Sequence, residues 1–163
     1  MRILIIALPR TGSTSLLHDI SKERNLKPIF EPFDWSGRFL YNDDMNNIVV
    51  KTIIYQHPNN IELSKKFDEV ILLNRRNFND HLESYSYLYH NKPLGYHSAK
   101  PYKYTPPPSE IINKSQELLI TMCQDLKKLS DTLGIPIQYY EDLFDPNSTD
   151  RLRVDLINKK SII

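Results

Sequence analysis

The sequence predicts an α/β fold of three layers, in which a parallel sheet carries helices on both faces. Short apolar runs without polar alternation, typical of strands buried on both sides, recur along the chain. Segments with apolar residues at helical spacing stand between these runs, and this alternation favours a parallel sheet. The 163 residues suffice for one core, so we predict a single domain over residues 1–163.

The individual elements follow from the same patterns. Strands are predicted at 2–8, 27–31, 48–54, 69–74 and 135–139. Helices are predicted at 12–21, 59–67, 78–90, 109–133 and 146–158, with Ser109 as a cap and Gly134 ending the fourth. The apolar stripe of that fourth helix is expected to be Leu118, Met122, Leu126, Leu129 and Leu133.

Two segments are predicted to be irregular. Residues 33–47 are mixed and polar, which indicates a loop with some helix. Residues 91–108 are rich in proline and end in a Pro106-Pro107-Pro108 run, so we expect a long surface loop there. The tyrosines of this loop either stack on an acceptor molecule or pack the loop onto the domain; they are Tyr96, Tyr102 and Tyr104. For the tyrosines of the preceding helix, packing is favoured; these are Tyr85, Tyr87 and Tyr89.

Composition restricts the class of partner. A net charge of +1 provides no global field to attract nucleic acid or an anionic membrane, so any anion site must be local. The first apolar run is too short to span a membrane and lacks a cleavage-site pattern. The lone Cys123 cannot form an internal disulfide and is expected to be a packing residue. We therefore expect a cytoplasmic protein without nucleic-acid or membrane partners, and its oligomeric state stays open.

The most informative segment follows the first strand and reads Ala7-Leu-Pro-Arg-Thr-Gly-Ser-Thr-Ser-Leu16. A tight Gly-containing loop that leads into a helix points backbone N–H groups and the positive end of the helix dipole at a bound anion. Arg10 adds a full positive charge. The loop also lies at the carboxyl end of a strand, where parallel sheets bind ligands. The segment thus predicts a site for a phosphate-bearing ligand.

This loop differs from the loop that binds nucleoside triphosphates. The pattern G-x-x-x-x-G-K-[ST] aligns on Ala7, Gly12, Ser13 and Thr14, so its first glycine and its lysine are absent. Phosphoryl transfer needs that lysine and an acidic residue for Mg²⁺. A small nucleotide kinase is therefore a less favoured alternative.

Residues 9–14, Pro-Arg-Thr-Gly-Ser-Thr, instead resemble the 5′-phosphosulfate loop of sulfotransferases, P-[KR]-[ST]-G-[ST]-[ST], at every position. A second segment, 74–85, resembles the 3′-phosphate motif of that family, R-[ND]-x-x-D-x-x-x-S. A third and weaker match is the Y-E-D-L at 140–143. The resemblance runs from residue 2 to about 157 and implies a P-loop NTPase-like sulfotransferase fold with 3′-phosphoadenosine-5′-phosphosulfate (PAPS) as donor and no metal.

The resemblance also assigns the donor-binding residues. They are Pro9, Arg10, Thr11, Gly12, Ser13, Thr14, Arg76 and Ser84. Arg76 and Ser84 are expected to converge on one phosphate, because an arginine offers paired donors and a serine a neutral one. Ser13 and Thr14 are expected to cap the helix and face the anion together. The remaining motif residues are expected to have supporting roles. Arg75 is either solvated or a minor contact, and Asp80 is structural. Glu141 and Asp142 are expected to cap the start of a helix.

Three residues are candidates for catalysis. Arg10 is expected to stabilise the leaving adenosine 3′,5′-bisphosphate (PAP) as a fixed charge, since arginine does not readily release a proton. Lys51 either contacts the phosphosulfate, as the family lysine does, or ends its strand in solvent. Glu31, within Phe30-Glu31-Pro32, resembles the F-E-P of carbohydrate sulfotransferases and is the favoured base; otherwise it pairs with Arg10 or Lys51.

The base also separates the branches of the family. Phenol and steroid sulfotransferases use the histidine of a K-T-H motif, and this chain has Lys51-Thr52-Ile53 at that place. The missing histidine counts against that branch of the family. His57 is a second candidate for the base. The acceptor is expected to be a small molecule or a carbohydrate. The absent histidine also keeps open a non-catalytic protein that binds PAP or PAPS.

Overall fold

The computed structural model describes residues 1–33, 41–91 and 106–144. The predicted helix at 146–158 lies outside the described residues. So do residues 92–105 of the predicted loop, with Tyr96, Tyr102 and Tyr104.

Five strands in the described residues form one parallel sheet, and each lies where the sequence predicts a strand. They are β1 (Arg2–Ala7), β2 (Lys27–Phe30), β3 (Ile48–Ile53), β4 (Glu69–Asn74) and β5 (Ile137–Tyr139). The order is β2-β3-β1-β4-β5, with every pair parallel. The chain moves from β1 towards one edge and later returns beside β1 as β4. The carboxyl ends of β1 and β4 thus flank the point where the strand order reverses, a position where open α/β sheets bind ligands.

Five helices accompany these strands in the described part of the chain. They are α1 (Ser13–Arg24), α2 (Asn60–Ser64), α3 (Phe78–Asn91), α4 (Ser109–Leu133) and α5 (Tyr140–Leu143). Helix α2 is shorter than predicted, but it begins where the sequence predicts. The side chain of Asn59 caps this start by accepting a hydrogen bond from the Glu62 N–H. Helix α3 includes Asn91, the residue at which the sequence predicts the loop to begin. Residues 33 and 41–47 contain no helix.

The side chains of β1 alternate between two cores, one on each face of the sheet. Leu4 and Ile6 belong to one core, and Ile3 and Ile5 to the other; all are fully buried. Helices α2, α3 and α4 supply the first core with Leu63, Tyr85, Leu119, Met122, Leu126 and Leu129. Helices α1 and α5 supply the second with Leu16, Leu17, Ile20 and Leu143. The predicted three-layer arrangement is therefore present.

Helix α4 corrects two details of the sequence analysis. Its N-cap is Pro108, and no side-chain hydrogen bond caps it, so Ser109 is the first helical residue rather than the cap. Leu118 is 38% exposed while Leu119 is fully buried. The buried positions follow a spacing of three and four residues from Ser115, which places Leu118 just outside the stripe. The predicted end is confirmed, since Gly134 has φ 66° and its N–H donates to the Ser130 carbonyl.

No helix in the described ranges is long and apolar enough to cross a membrane.

Candidate anion-binding site

The loop after β1 is held to the sheet and curls through two residues with positive φ. The Leu8 N–H donates to the Leu73 carbonyl on β4 at 3.2 Å. The Thr11 side chain is buried, and its hydroxyl donates to the Leu8 carbonyl at 2.8 Å. Arg10 has φ 64° and Gly12 has φ 72°. This curl turns the chain from the end of β1 into α1.

Gly12 is required for steric reasons as well as for its φ. A Cβ at this position would lie 2.6 Å from the ring of Tyr140. Gly12 is the N-cap of α1 and carries no side chain, so the expectation that Ser13 and Thr14 cap the helix is wrong. The first intrahelical bond runs from the Leu16 N–H to the Gly12 carbonyl. The N–H groups before Leu16 are those that a helix start leaves without an intrahelical partner, which suits an anion.

Ser13 and Thr14 differ in access to this helix start. Ser13 is buried, whereas Thr14 is exposed. The Pro9 residue is buried as well, so the part of the loop that faces solvent is formed by Arg10 and Thr14.

Arg10 links the loop to the segment at 74–85, the second of the two segments that resemble phosphate motifs. Its Nε donates to the Ser84 Oγ at 3.0 Å, across 74 positions of the chain. Arg10 is exposed and Ser84 half-buried, so this contact lies at the surface of the carboxyl edge. The structure therefore brings Arg10 and Ser84 together.

Arg76 does not contact either of them and is engaged elsewhere, so its expected convergence with Ser84 on one phosphate stays a prediction. Its guanidinium donates to the Asp142 Oδ2 at 2.6 Å and lies over the Tyr139 ring, 4.7 Å from the ring centre. The Arg76 and Asp142 side chains are 60% and 44% exposed. The pairing of β4 with β5, which aligns Asn74 with Tyr139, places α5 directly beside Arg76.

Glu141 occupies the start of α3 from outside that helix. Its Oε2 accepts from the Arg76 N–H at 2.9 Å, and its Oε1 accepts from the Asn77 N–H at 3.3 Å. Burial acts to raise the pKa of Glu141, but these two hydrogen bonds and the charge of Arg75 hold it below the ordinary value. Glu141 thus acts as a cap at a helix start, as expected, but for α3 rather than for α5, while Asp142 pairs with the Arg76 side chain.

The neighbouring motif residues have structural contacts. The Asp80 N–H donates to the Asn77 Oδ1 at 3.3 Å, so Asn77 is the side chain that caps the first turn of α3. Arg75 is half-buried with its guanidinium over the Tyr140 ring, 5.0 Å from the ring centre. Arg75 is therefore only partly exposed to solvent, and its alternative role as a minor contact of the donor stays a prediction. Tyr140 in turn stacks on Phe144 with ring centres 4.8 Å apart.

His81, which was not predicted as a site residue, is 1% exposed and contacts the loop itself. Its Nε2 lies 2.7 Å from the Pro9 carbonyl oxygen. Burial lowers the pKa of His81, and Arg75 lowers it further, against the Pro9 hydrogen bond and Glu141, which raise it. A signal was present, because His81 stands four residues before the buried Tyr85 and so shares its face of α3.

A second cluster lies at the carboxyl ends of β2 and β3. Lys51 Nζ forms an ion pair with Glu31 Oε1, and the Lys51 side chain is only 6% exposed, so the alternative that Lys51 ends its strand in solvent is wrong. The Gln56 Nε2 donates to Glu31 Oε2 at 2.7 Å, while Gln56 Oε1 accepts from the Ile53 N–H at 2.8 Å. Of the two expected partners of Glu31, the structure selects Lys51. Gln56 was missed, because only the turn after β3 brings it back to Glu31.

Backbone strain marks both clusters. Arg10 and Glu31, both outside the residue types that adopt positive φ readily, have φ 64° and φ 38°. Glu31 directly follows β2, and Arg10 stands three residues after the end of β1, so both lie at the carboxyl edge of the sheet. Such conformations cost roughly 1–3 kcal/mol each and tend to gather at functional sites.

The other candidates are engaged in packing. The His57 Nδ1 accepts from the Asn59 N–H at 3.1 Å, and its ring meets Phe33 edge-on with centres 4.9 Å apart. Tyr85 is 7% exposed, which confirms the packing expected for it. Cys123 is half-buried against the core and burial raises its pKa, as fits a packing residue.

Neither models of known protein families nor curated protein sequences give a match to this chain. Among the residues that the structure describes, no group of three or more His, Cys, Asp or Glu side chains is placed to hold a metal ion.

Proposed function

We propose that this protein is a PAPS-dependent sulfotransferase with a P-loop NTPase-like fold, which moves a sulfuryl group from PAPS to an acceptor hydroxyl and releases PAP. The observation that carries the proposal is the contact between Arg10 Nε and Ser84 Oγ at 3.0 Å. It unites two segments that resemble the phosphate motifs of one family, at the point where the strand order reverses. The acceptor proposed is a small molecule or a carbohydrate.

The 5′-phosphosulfate would lie over the loop of residues 9–14. There the start of α1 offers N–H groups that lack intrahelical partners, and Arg10 offers a guanidinium at the surface. Thr11 and Gly12 would act through the backbone, since the Thr11 hydroxyl donates to Leu8 and Gly12 has no side chain.

The 3′-phosphate would bind between Ser84 and Arg76, which requires Arg76 to leave Asp142. Both side chains of that pair are largely exposed, and exposed pairs contribute only about 0–1 kcal/mol. A phosphate dianion forms stronger, paired hydrogen bonds to a guanidinium. The exchange therefore costs little free energy, and Asp142 becomes a competitor of the 3′-phosphate.

The reaction places few chemical demands on the protein. The acceptor oxygen attacks sulfur, the bond from sulfur to the bridging oxygen of PAPS breaks, and negative charge develops on PAP. Arg10 and the loop N–H groups would stabilise that charge without giving up a proton. Glu31 would take the acceptor proton, with Gln56 holding the carboxylate in place and Lys51 contacting the phosphosulfate.

A specific observation favours a second candidate, a non-catalytic protein that binds PAP or PAPS. Both oxygens of Glu31 already accept hydrogen bonds, one from Lys51 and one from Gln56. A carboxylate held in this way is a structural ion pair unless Lys51 turns to the donor. The two candidates share the donor site and differ in whether Glu31 accepts a proton.

Transfer from labelled PAPS to a panel of sugars and small hydroxyl compounds separates them. The sulfotransferase is expected to label at least one acceptor, and Glu31→Gln is expected to reduce that labelling by about 10²–10⁴-fold while PAP still binds. Glu69→Gln is the matched control, because Glu69 also forms an ion pair, with Arg24, but lies at the opposite end of β4. A wild-type protein that binds PAP and labels nothing in the panel supports the binding protein instead.

A further inference from the structure

Two side chains of helix α3, one turn apart, contact the loop of residues 9–14. His81 contacts the Pro9 carbonyl at 2.7 Å, and Ser84, one turn later, accepts from Arg10 at 3.0 Å. Residues three apart on a helix share one side of it, so a single strip of α3 faces the loop. Of the two side chains, only His81 reaches the backbone of the loop.

The direction of this hydrogen bond is fixed by chemistry. A carbonyl oxygen can only accept, so the Nε2 of His81 must carry the proton. The Pro9 carbonyl therefore points towards α3. In a trans peptide the carbonyl and the following N–H point to opposite sides, so the Arg10 N–H points away from α3.

We propose that His81 is a positioning residue, which turns the peptide between Pro9 and Arg10 so that the loop presents an N–H rather than a carbonyl to a bound phosphate. The inference rests on the proposed function, because it assigns the loop to the 5′-phosphate. Without His81, the Pro9 carbonyl would be a buried acceptor with no donor. The peptide could then rotate, and a carbonyl facing the phosphate would repel it.

The surroundings of His81 keep the ring neutral and in place. Arg75 opposes a positive charge on it, and Glu141 together with the Pro9 carbonyl favours one. Burial dominates these and lowers the pKa of His81. The ring therefore serves as a neutral donor at neutral pH, not as a charge that binds the anion itself.

Two substitutions test the position of the donor. The glutamine of His81→Gln can place an amide N–H near the original Nε2, whereas the shorter side chain of His81→Asn stops near the original Nδ1. The proposal requires a donor at Nε2, so His81→Gln should retain binding and His81→Asn should lose it. Ser86→Ala is the matched control, since Ser86 is buried on the same helix and its hydroxyl donates within it, to the Glu83 carbonyl.

The measurement is calorimetric titration with adenosine 5′-phosphate, adenosine 3′-phosphate and PAP. For His81→Asn the expected loss of affinity is about tenfold for the 5′-phosphate and under about threefold for the 3′-phosphate. His81→Gln and Ser86→Ala should stay within about twofold of wild type for both. If His81→Asn loses equal affinity for the two monophosphates, or loses none, the positioning role of His81 is wrong. The proposed function would still stand in that case, provided that the wild type binds PAP. If the wild type does not bind PAP, the proposed function and this inference fall together.

A measurement on the unaltered protein covers the case in which the variants do not fold. Nitrogen-15 spectra of the imidazole distinguish the two neutral tautomers and the cation. At neutral pH, His81 is expected to be the tautomer with its proton on Nε2. A proton on Nδ1 alone would leave Nε2 unable to donate and would refute the positioning role.

Discussion

Arg10 and Arg76 lie at the same edge of the sheet, yet their surroundings differ. Arg10 belongs to a loop that is fixed by Thr11, His81 and Gly12, and its guanidinium donates to the neutral Ser84. Arg76 is engaged by the acidic residues of α5, its guanidinium by Asp142 and its N–H by Glu141. One half of the proposed donor site is thus assembled for an anion, and the other half already holds carboxylates.

This difference suggests a division of labour. In the proposed reaction, a fixed loop would suit the 5′ side, where charge would develop during transfer and rigid donors are most effective. An exchangeable ion pair would suit the 3′ side, where Asp142 would give way to a phosphate and return after PAP leaves. Substitutions on each side test whether the two halves of the proposed site differ in this way.

The largest effect is expected from Arg10. Arg10→Ala should reduce sulfuryl transfer by roughly 10²–10³-fold, because it removes the charge that is proposed to stabilise the leaving PAP. Arg10→Gly should lose as much activity. However, since φ at this position is 64°, the glycine variant should be more stable than the alanine variant by about 1 kcal/mol. Transfer from labelled PAPS and thermal unfolding of both variants test this, and near-normal transfer by either one would remove the role given to Arg10.

Gly12→Ala tests whether the loop half is as rigid as the contacts suggest. A Cβ there meets the Tyr140 ring at 2.6 Å in addition to adopting φ 72°. We expect a loss of about 2–3 kcal/mol in the free energy of unfolding. Gly134→Ala is the control for the cost of a positive φ alone. Gly134 has φ 66°, but an added Cβ would have no atom within 4 Å, so this variant should lose only about 1 kcal/mol in the free energy of unfolding. Equal losses for both variants, measured by denaturant titration, would mean that the ring of Tyr140 yields.

Arg76 and Asp142 test the exchangeable half. Arg76→Ala should weaken PAP by about tenfold and adenosine 5′-phosphate by under about twofold, because only PAP carries the 3′-phosphate. Asp142→Asn removes the competing carboxylate and should tighten PAP by about two- to fivefold. These affinities can be measured by calorimetric titration. If Arg76→Ala weakens both ligands alike, the role of Arg76 at the 3′-phosphate is lost.

The smallest expected effect is the pH dependence that His81 gives to the free energy of unfolding. Since the folded protein lowers the pKa of His81, the unfolded chain binds a proton there that the folded chain does not. The free energy of unfolding should therefore fall as the pH drops below about 6.5, by up to about 1 kcal/mol per pH unit for this group. His81→Gln, which has no group that titrates there, should show a shallower fall. Parallel curves for the two proteins between about pH 7 and pH 5 would contradict the assignment.

The strands were predictable because a central strand in a parallel sheet is buried on both faces and therefore mostly apolar. The run from Ile3 to Ile6 is wholly apolar, and the run from Ile48 to Ile53 is apolar except for Lys51 and Thr52. The face of α4 was less certain, since Leu118 and Leu119 are adjacent and both apolar. Only the sheet beneath the helix decides that Leu119 is the buried one.

The site was predictable where it depends on one strand end and the following loop, and less so where it depends on strand order. The pairing of Glu31 with Lys51 was among the alternatives, because Glu31 directly follows β2 and Lys51 lies in the neighbouring parallel strand, level with Phe30. The engagement of Arg76 by Asp142 needs β5 to lie beside β4, which spacing in the chain does not reveal. His81 and Gln56 were missed for the same reason, since each acts on a residue far away in sequence.

The central claim is that the two phosphate motifs form one donor site. Thermal unfolding of the wild-type protein with and without millimolar PAP, compared with equal concentrations of adenosine 5′-phosphate, tests it most directly. We expect PAP to raise the melting temperature, and to do so more than adenosine 5′-phosphate, because binding to the folded state alone stabilises it. An unchanged melting temperature with millimolar PAP would contradict the claim.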